Sequence, residues 1–337
     1  MTSLRKFIIA RMIMTIPMVL LLLTIIFFVL RVMPGDPVRA MVGEKASEEQ
    51  VRRLREQLGL NKPYIEQYFD YLAGLLRGDL GVSWYYRGMP VTSLIMEKFP
   101  ATLELAIGGT IVSLLLGILL AILAAYNQGS KIDRAVTLFG IISYSLFIPW
   151  LGILLQLLFS VNLKILPLNT RIDVEYVPTK ITGLYVLDSI LTGNILGFVN
   201  ALQHLILPSI TLGLVLTGSY LRITRNTMVE VLSQNFIKMA RAKGLAERDV
   251  LFKHALKNTL IPLLTMMGLQ FALLLGGAVL TETTFSWEGM GRFLVKMIEF
   301  RDYPTIQGII IFYGLLVAVV SMIIDIMYAL IDPRVRY

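Results

Sequence analysis

The sequence predicts an all-α integral membrane protein: six transmembrane helices, a helical extracytoplasmic subdomain after the first, and a basic cytoplasmic loop before the fifth. Three observations predict it. Hydrophobic residues make up 56% of the 337 residues and charged residues only 16%, with a mean hydropathy of +0.71, whereas soluble domains carry roughly 25% charged residues. The apolar residues gather in runs of about 20, the length a helix needs to cross a hydrocarbon core. The formal charge of +8 is also unevenly placed: Arg5, Lys6, Arg11, Lys131, Arg134, Arg222, Arg225 and the basic residues of 238–257 share one side, while the long opposite loops are nearly balanced. That asymmetry is a positive-inside topology signal and makes nucleic acid an unneeded partner.

Taken in order, Arg5, Lys6 and Arg11 precede the apolar run Met12–Leu30. This run outlasts the roughly 7–15-residue core of a signal peptide, so it reads as a retained first span with the N-terminus inside. Residues 34–98 are polar and hold their own helix signals. Ser47 and Gln50 form a capping box, Val51, Leu54 and Leu58 share a face, and Gly59 is a stop; a second helix is expected from Pro63 to about Leu76, before Gly78. The second span is Thr102–Tyr126, where Gly117, Ala121 and Ala125 make a small-residue face suited to close packing. A cytoplasmic turn at Asn127–Arg134 leads to a third span at Ala135–Ser160, then to an extracytoplasmic stretch, 161–203, with short surface helices. His204–Leu221, Thr259–Leu280 and Ile306–Ile331 are the fourth to sixth spans, and the even count returns the C-terminus to the cytoplasm, in keeping with Arg334 and Arg336. The domains are therefore 1–33, tail and first span; 34–98, extracytoplasmic subdomain; and 99–337, a five-span core containing the cytoplasmic loop 225–258.

Little in the chain resembles an engine or a catalyst. The sequence has no G-x-x-x-x-G-K-[ST] loop, no G-x-S-x-G elbow and no H-E-x-x-H pair. With no Cys and only His204 and His254, thiolate and His-rich metal centres are excluded. Glu104 and Asp325 are the acidic residues expected within spans, one toward each end, and read as anchors or helix–helix hydrogen-bond partners. Candidates for a translocation path are Ser143, Ser145, Gln156, Thr265, Met266 and Gln270, side chains that can equally bond a neighbouring helix.

The polar island between the fourth and fifth spans is the most informative stretch. Asn235 is a candidate N-cap, Phe236–Lys243 lacks a breaker, and Gly244 suits the left-handed C′ position. A second short helix is expected over Glu247–Leu256. The two would form an elbow bearing Lys238, Arg241, Lys243, Arg248, Lys253 and Lys257. The residues alone allow either a stiff knob that transmits force or a charged loop that only fixes topology.

The wording Ala240-Arg241-Ala242-Lys243-Gly244-Leu245, with Val250-Leu251, Lys253 through Asn258 and Pro262, resembles the coupling loop of ATP-binding-cassette (ABC) transporter permeases of the oligopeptide and dipeptide branch. Lys238 and Lys257 depart from the general permease pattern, where acidic residues and proline are common, in the manner of the peptide branch. Pro34-Gly35-Asp36-Pro37, Leu58-Gly59-Leu60 with Pro63, Gly78-Asp79-Leu80-Gly81 with Ser83, Met89-Pro90-Val91 and Ile331-Asp332-Pro333-Arg334 extend the likeness nearly end to end.

The resemblance implies a type I importer permease in the plasma or inner membrane, with no catalytic residue and no cofactor in this chain. ATP and Mg would sit on partner subunits. Ala240, Arg241, Ala242, Lys243, Gly244, Leu245, His254 and Asn258 would couple to a cleft on a separate ATPase. Expected partners are a second homologous permease, two ABC ATPases, an extracytoplasmic solute-binding protein and membrane lipid. Expected substrates are di- and oligopeptides, although relatives handle nickel, glutathione or oligosaccharides. Without the resemblance, the residues also fit a secondary transporter or channel working alone.

Overall fold

The computed structural model describes residues 2–32, 38, 47–57, 61–276 and 278–331, and these are helical with no extended strand among them. In chain order the helices are α1 (Thr2–Val32), α2 (Glu48–Gln57), α3 (Tyr64–Leu76), α4 (Val91–Tyr126), α5 (Lys131–Ser145), α6 (Ile148–Leu155), α7 (Tyr185–Leu191), α8 (Ile195–Ser233), α9 (Asn235–Ala242), α10 (Leu256–Leu275), α11 (Val279–Thr284), α12 (Met290–Glu299) and α13 (Tyr303–Ile331). Among the described residues, α4, α8 and the Tyr303–Ile324 part of α13 are each long and apolar enough to cross a membrane. Two bent pairs, α5 with α6 and the segment 247–260 with 262–275, bring the number to five, and the shorter apolar stretch Ile13–Val29 lies in α1.

The centre of the molecule is the pair α4 and α8, which run side by side in the same direction. Gly109 of α4 meets Leu212, and Gly117 meets Tyr220 and Leu221, so the register advances together along both helices. A Cβ at Gly117 would stand 2.8 Å from the Tyr220 Cβ, which is why the small-residue face is needed: only hydrogen lets the backbones approach this closely. Ala121 and Ala125, one and two turns on, are likewise buried.

α5 starts as a capped helix, the Ser130 hydroxyl accepting from the amides of Ile132 and Asp133. The uninterrupted third span expected over Ala135–Ser160 is not observed. The chain bends by 102° between α5 and α6, with Leu146 and Phe147 extended and Pro149 in the first turn of α6. Proline lacks an N–H and its ring would clash with the carbonyl four residues back, here that of Ser145, so α5 ends there and α6 restarts with Pro149 in its first turn. Beyond α6, Gln156–Asn162 forms a π-helical turn.

The capping box at the start of α2 forms as the spacing requires: the Ser47 amide donates to Gln50 Oε1 at 3.1 Å and the Gln50 amide to Ser47 Oγ at 3.2 Å. Gly59 and the Pro34–Pro37 phrase lie outside the described residues, as do Arg334 and Arg336. α3 packs against α1 and α13 through Tyr71, Leu72, Leu75, Leu23, Ile26 and Ile311, and the Thr24 and Tyr68 hydroxyls pair at 2.6 Å. α4 begins at Val91, directly after Pro90, so the polar residues up to Lys98 are its first two turns.

The end of the molecule opposite α9 is locked by buried polar contacts. Trp287, fully buried, donates its indole N–H to Ala101 O at 2.7 Å. Thr102 donates to the buried Glu282 at 2.6 Å, and the other Glu282 oxygen accepts from the Arg292 amide at 2.9 Å. Arg171 pairs with Glu104 at 2.7 Å, both buried, while the second Glu104 oxygen accepts from the Val186 amide at 2.9 Å. Asp302 accepts from Ser83 Oγ, from the amides of Trp84 and Tyr85, and from Thr305. These contacts tie the loop before α4, the 161–203 segment and the α11–α12 segment to the ends of α4 and α13.

Within 161–203 the surface helices expected are a 3₁₀ turn at Val174–Tyr176 and α7. Asp188 organises that loop. Burial pushes its carboxyl up, but the Thr182 hydroxyl and the amides of Ile181, Thr182 and Gly183 outweigh this and hold it below the usual range.

Candidate functional site: the basic elbow

α8 runs from the locked end through the core and stops at Ser233, where Gln234 turns extended and α9 departs. The capping position is Gln234, not Asn235, and its side chain makes no cap hydrogen bond. At the other end of α9 the expected left-handed residue is present: Gly244 has φ of +77°. Its amide donates to Arg241 O at 2.9 Å and the Leu245 amide to Ala240 O at 3.4 Å, the paired bonds of a Schellman stop. Arg241 then reaches across the turn to Glu247, Nη2 to Oε1 at 2.6 Å and Nε to Oε2 at 3.2 Å. The bidentate bond holds the guanidinium even more firmly protonated than usual.

The second arm differs from the helix expected over Glu247–Leu256. A single turn, Glu247–Asp249, runs through a π turn, Val250–Ala255, straight into α10. No residue between 247 and 258 breaks a helix, so nothing stops the arm from merging with the span that follows. The bend comes later, 56° at Pro262, where the ring removes one N–H and crowds the preceding turn. The elbow is thus one short free helix stapled to the root of α10.

Its inner face is well anchored. Ile237 and Ala240 of α9 pack with Val250, Leu251 and Ala255 of the π turn, Met228 of α8, and Ile122 and Ala125 of α4. Burying a side chain such as Ile237 contributes about 1.5–3 kcal/mol, and here that burial fastens the knob to three core helices at once. The outer face is the reverse: Phe236, Met239 (58% exposed), Leu245 and Phe252 leave apolar surface in solvent, with Lys238, Arg241, Lys243, Arg248, Lys253 and Lys257 exposed around it. His254 is half-buried, and its carbonyl accepts from Asn258 Nδ2 at 2.7 Å. Arg241, Ala242, Lys243, Gly244 and Leu245 are exposed, and Ala240 faces inward.

The residues suggested for a path are not gathered at one place. Ser143 is buried on α5, and Ser145 donates to Ile141 O at 2.8 Å beside a hollow between α5 and α8. Gln156 bonds Leu168 O, Asn169 Oδ1 and Thr284 O at 2.8, 3.1 and 3.3 Å, knitting the π turn to α11. Thr265 lines a separate apolar cavity of about 280 Å³ with Gly268, Phe271 and Val320. Met266 and Gln270 are half-buried on the same helix.

Sequence reasoning missed Arg171, Glu282, Asp302 and the Asp133–Arg225 pair, whose Nε and Nη2 contacts are 2.6 and 2.7 Å. Their partners lie 67, 180, 219 and 92 residues away, so no spacing rule can find them. Glu104, read from the sequence as an anchor or a helix–helix hydrogen-bond partner, is instead buried in an ion pair with Arg171 of the 161–203 segment and accepts from the Val186 amide; the side chain of Asp325 lies outside the described part. His204, placed by the sequence at a helix end, is buried within α8 with its Nδ1 2.9 Å from Asn169 O.

Comparison with known proteins gives this architecture a family. The sequence profile described as "Binding-protein-dependent transport system inner membrane component" matches residues 117–337, and the corresponding N-terminal profile matches residues 4–106. The "Di/tripeptide transport system permease protein DppB" of Pseudomonas aeruginosa (strain UCBPP-PA14) is 42% identical over 312 residues, 92% of this chain and 93% of that protein. The "Dipeptide transport system permease protein DppB" of Escherichia coli (strain K12) is 37% identical over 336 residues, 98% and 99% of the two chains. The "Probable D,D-dipeptide transport system permease protein DdpB" of the same strain is 42% identical over 313 residues, 92% of each. With both profiles spanning the helical core and its stapled elbow, this multi-pass membrane chain belongs to the binding-protein-dependent transport system inner membrane components, as an ABC permease of the oligopeptide/dipeptide branch.

Proposed function

We propose that the chain forms half of the translocation path of an ATP-driven importer for di- and tripeptides, working by alternating access with six spans and both termini in the cytoplasm. The observation that carries this reading is the elbow: an apolar tip ringed by cations, exposed, yet fastened through Ile237 and Ala240 to α4, α8 and α10. Such a knob is suited to docking on a separate protein and handing its movement to several spans together. Because the chain carries no nucleotide-binding loop, the energy enters from outside. Two ATPase subunits hold ATP and Mg, a second homologous permease completes the path, and an extracytoplasmic binding protein delivers the solute. The ATPases drive the cycle only if they dock differently on the inward- and outward-open forms, since equal affinity for both shifts nothing. The names of the relatives support peptides as the solute.

The test is reconstitution of the chain with its second permease, ATPases and binding protein in proteoliposomes. Uptake of a labelled dipeptide should require ATP and every subunit. Ion-driven flux through the purified chain alone would instead establish a secondary transporter or channel.

A further inference from the structure

Below the elbow's root, α5 and α8 cross with their backbones in contact: a Cβ at Gly218 would stand 2.2 Å from the Gly140 carbonyl oxygen. Around this crossing lies a hollow of about 320 Å³ with a mostly apolar lining, in which the polar groups are Thr137, Tyr144, Ser145, Ser219, Arg222 and Asn226 beside Arg225. Neither helix can close it by sliding nearer, because the crossing is already at backbone contact. The volume is at the lower end of the range of about 300–1,000 Å³ for small-molecule sites, enough for a short peptide.

Two arginines of α8 border the hollow, and they are used differently. Arg225 is committed, its Nε and Nη2 on the Asp133 carboxylate at 2.6 and 2.7 Å and its Nη1 on Asn226 Oδ1 at 3.2 Å. Arg222, three residues deeper along the helix (about 4.5 Å), makes no hydrogen bond, ion pair or ring contact among the described residues. Arg222 is exposed at the mouth of the hollow, so an anion that enters can pair with it without displacing another partner. Its fixed fork of donors matches the two oxygens of a carboxylate. Ser145 has spent its proton on Ile141 O, which leaves its oxygen free to accept from a ligand N–H. The wall therefore offers a cationic fork on α8 and a hydroxyl acceptor on α5.

We propose that this hollow is an exit subsite in which Arg222 receives the free α-carboxylate of the transported peptide as it passes toward the cytoplasm. The assignment rests on the importer reading above and adds to it a named carboxylate-recognising residue. The phosphate of an inner-leaflet lipid offers the same oxyanion chemistry, and the test separates the two sources.

The chain contains no cysteine, so Asn226→Cys, or Thr137→Cys should the first variant fail to assemble, places one thiol of this chain in the hollow. In the assembled transporter in nanodiscs, dialanine should slow its modification by a water-soluble methanethiosulfonate at least fivefold, while dialanine amide should not. Adding Arg222→Gln should abolish that protection. In proteoliposomes, Arg222→Gln alone should lower ATP-driven dialanine uptake about tenfold or more, consistent with loss of a charge-assisted hydrogen bond, and Arg222→Lys should retain part of it. If wild-type transporter imports dialanine but the acid and amide protect equally, or not at all, the subsite is refuted and the importer reading stands. If protection follows the phosphatidylglycerol content of the nanodisc and ignores peptide, Arg222 serves lipid phosphate and the proposal is overturned. If the complete wild-type assembly imports no dipeptide, the importer reading fails first and this inference with it.

Discussion

Gly244 shows how one residue can matter through backbone alone. No side chain stands within 4 Å of where its Cβ would be, yet its φ is +77°, a conformation in which a β-branched residue is strained. Gly244→Val should therefore shift the α9 stop and reorient the exposed tip without disturbing the buried Ile237 anchor. The expected outcome is normal membrane insertion with ATP hydrolysis no longer tied to uptake; tight coupling in reconstituted vesicles would contradict the lever. Arg171 is the opposite case, since everything it does is contact: it pairs with Glu104 at 2.7 Å and lies over the Tyr185 ring at 4.0 Å. Removing one member of a buried pair strands the other charge, at a cost of about 3–5 kcal/mol, whereas replacing both by apolar residues is often neutral. Arg171→Met should lower the melting temperature in detergent sharply, and adding Glu104→Leu should recover most of the loss.

Among the elements, the 181–191 cap has a pH dependence whose sign follows from Asp188. Its carboxyl is held below the ordinary value of 3.8 by the Thr182 hydroxyl and three amides, against the opposing effect of burial. A depressed carboxyl contributes stability that is complete above its unfolded value and is lost as pH falls through the folded one. Melting temperatures followed downward from pH 7 should hold until about pH 4 and then drop. Asp188→Asn should be less stable at neutral pH and show a shallower acid slope; identical slopes would remove Asp188 from the account. The α5–α6 break teaches a related lesson about reading elements. Hydropathy alone joins 135–160 into one span because its polar residues are few and scattered, and only the backbone demands of Pro149 divide it.

For the whole molecule, the basic side of the chain should be the side that meets the ATPases. Because native cysteines are absent, Lys243→Cys should react with an impermeant thiol reagent only in inside-out vesicles, and Arg87→Cys only from outside the cell. The reverse pattern would invert the topology on which the importer reading depends. Much of this organisation was legible beforehand: the apolar runs, the Ser47–Gln50 capping box, the α9 stop at Gly244 and the small-residue seam of α4 are local patterns. The seam's partner was not legible. That Gly117 meets Tyr220, that Ser83 meets Asp302 and that Arg225 is committed while Arg222 makes no such contact among the described residues depend on which helices lie together. The sequence by itself determined hydrophobicity, charge asymmetry and turn chemistry, because each is a property of neighbouring residues. Only the tertiary structure decided which buried charges are neutralised and which polar groups share a hollow, because those contacts join residues separated by tens to hundreds of positions, and no periodicity encodes them.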